Sequence, residues 1–419
     1  MKDISSYVRV NRISPEGEHC FFGYYDMSPE SSDGKRVLIN KSQFNDHMPS
    51  KEDTLELGYV EKNNGNYHKI GSTTAWNFQE GCRLQWMDNS KVVFNIRDGA
   101  KYKATLYDID LEKEVRVYEL PVYSLSSDGA NALSYNFNRN RYCYAHDKDD
   151  ELTDYKNDGI YLIDMLTGEC KLIISLQKLA EENNALEYDN WVEHTVFSPD
   201  GQHFFFHHRW NDGNGAMQTN FYVSDLNGNL VKLISKGFCS HAGWKDNTTI
   251  TAWGRIPRGI NKAQSVQSPL FRKMLRIAVK IYHALVKSDK ARQKLTNDSY
   301  VFFNAITGEN NKLENPDFVS DGHCTWNNPG NLMLTDTYPT SENKRKLMIY
   351  SEDEKETYLL GEFYSYPEIW DKEKYALAGI RCDLHPKWSY DHKTIYIDST
   401  HDGYRGLYSV TIEKDGLVL

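Results

Sequence analysis

Hydrophobic and polar positions alternate over short stretches of this chain, and the pattern restarts about every fifty residues. The clearest copy runs His194-Thr-Val-Phe-Ser-Pro-Asp-Gly201, then His203-Phe-Phe-Phe-His-His208, then Phe221-Tyr-Val-Ser-Asp225 with Asn227-Gly228. Apolar runs of this length read as strands. Ser-Pro-Asp-Gly reads as the turn between two of them, because Pro fixes φ and Gly accepts φ > 0. Related units begin at Met27-Ser-Pro29, Trp86-Met-Asp88, Leu125-Ser-Ser-Asp-Gly129, Trp244-Lys-Asp-Asn247, Trp326-Asn-Asn-Pro-Gly330 and Trp388-Ser-Tyr-Asp391, giving seven units in all.

Seven four-stranded units at this spacing predict an all-β fold, a seven-bladed β-propeller that hides its strand edges by radial repetition. A β-helix is the competing fold, but its repeats are shorter. The last unit runs out after three strands, and Tyr7-Val-Arg-Val10 is the stretch expected to supply the fourth and close the ring. Residues 1–419 thus form a single domain with one interruption, a basic insertion over 257–297. Within it Leu270 to Val286 reads as a helix started by Ser268-Pro269. Arg272, Lys273, Arg276, Lys280 and Lys287 fall on one narrow arc of that helix, opposite a broad apolar face. Two readings stay open: a helix packed on the propeller wall, or one lying through residues 268–292 on an anionic membrane leaflet.

Composition narrows the function classes. The net charge of −10 argues against a nucleic-acid partner, since a phosphate backbone needs a basic face. Seven scattered cysteines, no apolar signal-peptide core in Met1 to Asn11 and no run of 18 apolar residues predict reduced thiols in a cytoplasmic protein, peripheral on the inner leaflet if the helix binds membrane. No Gly-rich nucleotide loop and no Gly-x-Ser-x-Gly elbow is present.

The repeat register sorts polar residues toward one mouth of the channel. Three residues before the aromatic at each turn stand His194, His241, His323 and His385, with Arg83 in the second unit and Tyr24, near His19 and Asp26, in the first. Equivalent positions around a ring converge, and neutral imidazole is both a metal ligand and a proton carrier. His241, His323 and His385 with Asp383 give three nitrogens and an oxygen, a set suited to Mn²⁺, Zn²⁺, Fe²⁺ or Ni²⁺. Ends of the second strands add Arg139, His208, Arg209, Trp253, Arg255, Tyr338 and His401, and Arg381 lies beside Asp383. Guanidinium groups and aromatic faces together suit an acidic saccharide, and paired-carboxylate hydrolysis suits these positions less well.

The runs His194-Thr-Val-Phe-Ser-Pro-Asp-Gly201, Ser240-His-Ala-Gly-Trp244, Asp321-Gly-His-Cys-Thr-Trp326 and Asp383-Leu-His-Pro-Lys-Trp388 resemble blade motifs of the oligogalacturonate lyases, mainly in the second half of the chain. That resemblance implies a cytoplasmic propeller enzyme that uses a divalent metal, typically Mn²⁺, to cleave uronate saccharides by β-elimination. It implies His194 as the catalytic histidine and His241 and His385 as metal ligands. Asp383 stands where the family has a further histidine ligand, and Ile380 falls near the family's glutamine ligand. Arg83, Arg139 or Arg209 would neutralise the uronate carboxylate and Tyr24 or Tyr25 would protonate the leaving oxygen. Two other functions compete: a membrane-associated glycosyltransferase or processing enzyme acting on lipid-linked glycans, and a non-catalytic propeller scaffold.

Overall fold

In the computed structural model each repeat becomes one sheet, and the seven sheets follow one another as the blades of a propeller. The structure describes residues 1–140, 154–211, 217–255, 293, 297–366 and 380–413. The innermost strands are His19–Phe21, Gln85–Trp86, Ser124–Leu125, Asn190–Phe197, Cys239–Trp244, Thr325–Trp326 and Lys387–Trp388, defining blades 1 to 7.

Blade 4 shows why the sequence folds this way. Its second strand, His203–Asn211, is buried on both faces because a blade lies on either side. Phe204 and Phe206 therefore enter one core cluster, shared with blade 3, while the intervening Phe205 enters another, shared with blade 5. The preceding turn is held by Ser198 Oγ, which donates to Asp200 Oδ1 at 2.6 Å and accepts from the His203 amide at 3.0 Å. Gly201 supplies the φ of +68° that the turn needs.

The tryptophans at three of the turns have a structural task. Indole Nε1 of Trp86 donates to the Pro29 carbonyl (2.9 Å), that of Trp244 to the Val196 carbonyl (3.1 Å), and that of Trp326 to Thr251 Oγ1 (3.0 Å). Each bond reaches back to the preceding blade, pegging neighbours together.

Ring closure follows the expectation and exceeds it. Val8–Arg12 pairs antiparallel with Gly406–Ile412, with Val10 opposite Val410, and completes blade 7. Upstream, Lys2–Asp3 pairs parallel with Glu356–Tyr364 and gives blade 6 a fifth strand that the repeat did not foretell. Ile4, between the two, is buried in the core of these last blades. The described α-helix, Leu176–Glu182, links blades 3 and 4 and is capped by Ser175 Oγ, which accepts from the Lys178 amide. The expected helix over 270–286 lies outside the described residues, as does the basic insertion over 257–297 apart from Gln293 and Asn297. No helix among the described residues is long and apolar enough to cross a membrane, and the six described cysteines form no disulfide.

Candidate active site

The histidine register converges as its spacing predicts. His241 and His323 have ring centroids 4.0 Å apart, and His323 and His385 are 4.4 Å apart. Tyr24 and Tyr25 fill the centre: Tyr24 stacks on His194 at 5.0 Å and meets His385 edge-on at 5.1 Å, while Tyr25 lies 5.0 Å from His323. The Tyr25 hydroxyl donates to the Ala242 carbonyl and accepts from its amide, at 3.0 and 2.9 Å, which fixes the pair against blade 5. Burial pushes both phenols well above their usual range, so they stand protonated.

Backbone geometry aims these side chains. Arg83, His194 and His385, three residues of the register, adopt φ of +57°, +54° and +42°, a left-handed conformation that costs a side-chain-bearing residue about 1 kcal/mol or more. The pairing of blade 4 slips between Glu193 and Val196, and that of blade 5 between Cys239 and Ala242. Such bulges re-aim side chains at the rims of β-structures. Here they let residues adjacent in sequence face the channel together.

On the His194 side, Nε2 lies 3.2 Å from Glu193 Oε1, and Nδ1 lies 2.7 Å from the Tyr123 hydroxyl, which donates to Glu80 Oε1 at 3.1 Å. The same Glu193 Oε1 holds Arg209 Nη1 at 2.5 Å, and Trp191 Nε1 donates to Oε2 at 2.9 Å. Burial disfavours the charge on Glu193, but the Arg209 guanidinium outweighs it and holds the carboxyl well below its usual range. His207 faces His194 edge-on at 5.6 Å, with both ring nitrogens buried and without a partner. Burial and the nearby Arg209 keep that imidazole neutral.

On the other side, His323 Nδ1 is held by Asp336 at 2.8 Å, His241 Nδ1 by Asp321 at 3.0 Å, and His385 Nδ1 by the Gly23 carbonyl at 3.1 Å. Nε2 of His323 and of His385 are buried and unpartnered. These two rings and Asp383 place one ligand atom each within 4.8 Å of one another. Asp383 also pairs with Arg381 Nε and Arg345 Nη1, both at 2.7 Å. Burial opposes its charge, yet the two guanidinium groups keep it ionised. His241 stays within ring contact of His323 but outside the three-residue set. Arg381 lies over the Tyr338 ring at 5.3 Å, and Tyr338 flanks both His241 and His323 at 6.2 Å.

Several predicted site residues stand elsewhere. Arg83 is fully buried and clasped by Asp26 through two bonds of 2.9 and 2.8 Å, so each satisfies the other's charge and neither is offered to a ligand. His208 points into the blade, bonded to Asn190 (2.9 Å) and Asn183 (3.1 Å), because successive residues of a strand face opposite ways. Trp253 is packed in the core against Tyr300. Arg139 pairs with Asp158 at 2.5 Å and Arg255 with Asp298 at 2.6 Å, each inside its own blade. His19 lies beside Asn45 and Tyr404, and His401 beside Ser399 and Phe363, away from the histidine cluster. Sequence reasoning missed Glu80, Tyr123, Glu193, Asp321 and Arg345; Glu193 and Asp321 stand within two residues of a register histidine, whereas Tyr123 and Arg345 reach the site from distant positions that leave no local signal. The opposite mouth opens as a bowl of about 720 Å³ rimmed by the hairpin turns, with Phe197, Trp244, Trp326 and Trp388 in its wall.

Known structures share this architecture. An oligogalacturonate lyase in complex with manganese superposes with a TM-score of 0.64 and 16% identity, over 98% of this chain and 95% of that one. The oligogalacturonate lyase of Vibrio parahaemolyticus gives 0.62 and 15%, with coverages of 98% and 95%. A prolyl endopeptidase gives 0.52 and 9%, over 94% of this chain and 47% of that one. No protein-family model matches the chain, and a search of curated protein sequences finds no match. At these identities the likeness is one of fold: this chain is a seven-bladed β-propeller of the shape that oligogalacturonate lyases also adopt.

Proposed function

We propose that the chain is a carbohydrate-active enzyme that cleaves uronate-containing saccharides by β-elimination, with a divalent cation, Mn²⁺ in the first instance, at its mouth. The observation that carries this reading is the pair of buried, unpartnered Nε2 atoms of His323 and His385 facing Asp383. Because Nδ1–H donates in each ring, Nε2 carries a bare lone pair, and a buried acceptor left without a partner is costly, which points to a ligand for it. Two imidazoles and a carboxylate fit such a cation, and in each ring Nδ1 is already engaged by a second group that orients it. When bound, the cation would supply the positive charge that makes the C5 proton of a uronate acidic.

The chain's own residues divide the remaining work. Arg381 and Arg209 bring guanidinium groups to the mouth, where an acidic sugar needs charge-matched donors. Tyr24 is protonated and stacked on His194, placing a hydroxyl donor beside an imidazole able to exchange a proton. Manganese in one structural neighbour and galacturonate in the names of two support the reading by analogy of fold. The basic stretch 258–294 lies, apart from Gln293, outside the described residues and adds no support for a membrane partner.

The test is incubation of purified protein with oligogalacturonates and Mn²⁺. A rise in near-ultraviolet absorbance from the new double bond, abolished by His385→Ala, is the expected result. A silent wild type that instead consumes a nucleotide-sugar donor would replace this reading with the transferase one.

A further inference from the structure

Glu193 and His194 are consecutive, yet both side chains face the channel and lie 3.2 Å apart. A regular strand would send them to opposite faces. Two departures bring them together, the φ of +54° at His194 and the slipped pairing between Glu193 and Val196. Strain kept at a buried, polar position invites a functional reading.

Glu193 is almost fully buried, and three donors converge on it: His194 Nε2, Arg209 Nη1 and Trp191 Nε1. Of these, Arg209 is partly exposed and keeps a buried Nε without a partner. The other groups facing His194 are Tyr24, Tyr123, Glu80 and His207.

We propose that Glu193 is a positioning residue that couples capture of an anionic ligand by Arg209 to the proton held by His194. In the free protein its carboxylate is shared between guanidinium and imidazole. A ligand carboxylate offers Arg209 a second anion, and to the extent that Arg209 turns to it, Glu193 is left to His194 alone. The imidazole then holds its Nε2 proton more firmly, so an acidic sugar tunes the proton carrier whereas a neutral sugar does not. This rests on the uronate reading for its ligand class, but its test needs no turnover.

The test is ¹⁵N NMR of the His194 ring in the full chain, with galacturonate as probe and galactose as control. We expect galacturonate, and not galactose, to shift the His194 Nε2 resonance. Arg209→Gln should abolish that shift while leaving the ring bonded to Glu193. Glu193→Gln, which keeps shape and removes charge, should erase the shift while leaving galacturonate binding at least as tight as in the wild type, because Arg209 no longer divides its charge between two carboxylates. Should Glu193→Gln unfold the protein, Arg209→Gln alone decides. An unchanged galacturonate response in Arg209→Gln, or an equal response to galactose, overturns the coupling. Absence of any lyase product would overturn the reaction proposed above and leave this result standing.

Discussion

Two neighbouring histidines on one strand, His207 and His208, have opposite fates. His207 shares its face with Phe205 and looks toward His194, whereas His208 shares its face with Phe204 and Phe206 and is locked between Asn190 and Asn183. The sequence showed both residues but not which faced the channel, since a shift of one residue exchanges the faces of a strand. The four register histidines were legible because the turn aromatic fixes their position. Two of their carboxylate partners were not, because Glu193 and Asp321 reach the rings through bulges and neighbouring strands that leave no periodic mark. Burial depresses His208 to about 3. The unfolded chain, near 6.5, therefore binds a proton that the native state refuses, and stability is lost as pH falls from 6.5 toward 3. We expect this one group to remove on the order of a few kcal/mol across that window. His208→Gln should flatten the slope of urea-unfolding stability against pH between 6 and 4, and an unaltered slope would reject the assignment.

At the scale of elements, the pegs between blades give a task to the tryptophans at three of the turns, Trp86, Trp244 and Trp326. Trp326→Phe keeps the ring but removes the bond to Thr251 Oγ1, leaving a buried hydroxyl without that partner. We expect a loss of about 1 kcal/mol, measured by chemical denaturation, with the fold retained. Closure is a larger matter. The fourth strand of blade 7 was legible because the final repeat lacked one and Val8 and Val10 offered the right alternation. The parallel strand Lys2–Asp3 was not, being two polar residues with no pattern to read. Removing residues 1–12 withdraws both strands and the buried Ile4, and also Arg12, whose guanidinium donates to the Arg405 and Glu18 carbonyls across the closure. We expect at least ~3 kcal/mol of destabilisation from the apolar burial alone. A truncated chain with an unchanged midpoint would show that the ring does not depend on this closure.

For the whole molecule, radial repetition converts sequence register into spatial convergence, and that is why a site could be anticipated at all. Seven strands of unremarkable composition deliver imidazoles, phenols and guanidinium groups to one mouth because each blade starts at the same depth. The same geometry gives a prediction independent of any substrate. A cation held by His323, His385 and Asp383 binds the folded ring and not the open chain, since these residues come from blade 6 and from the approach to blade 7, and meet only when both are formed. Binding must therefore raise unfolding stability, by roughly 2.7 kcal/mol at a hundred times the dissociation constant. We expect Mn²⁺ to raise the thermal midpoint of the wild type and a chelator to reverse the gain. His323→Ala and His385→Ala should each lose the response, while His208→Gln should keep it. Elemental analysis of the purified protein should find the metal in the wild type and not in these two alanine variants. A midpoint indifferent to Mn²⁺, Zn²⁺, Fe²⁺ and Ni²⁺ alike would leave the orphan nitrogens to some other ligand, and carboxylate neutralisation would then rest on Arg381 and Arg209.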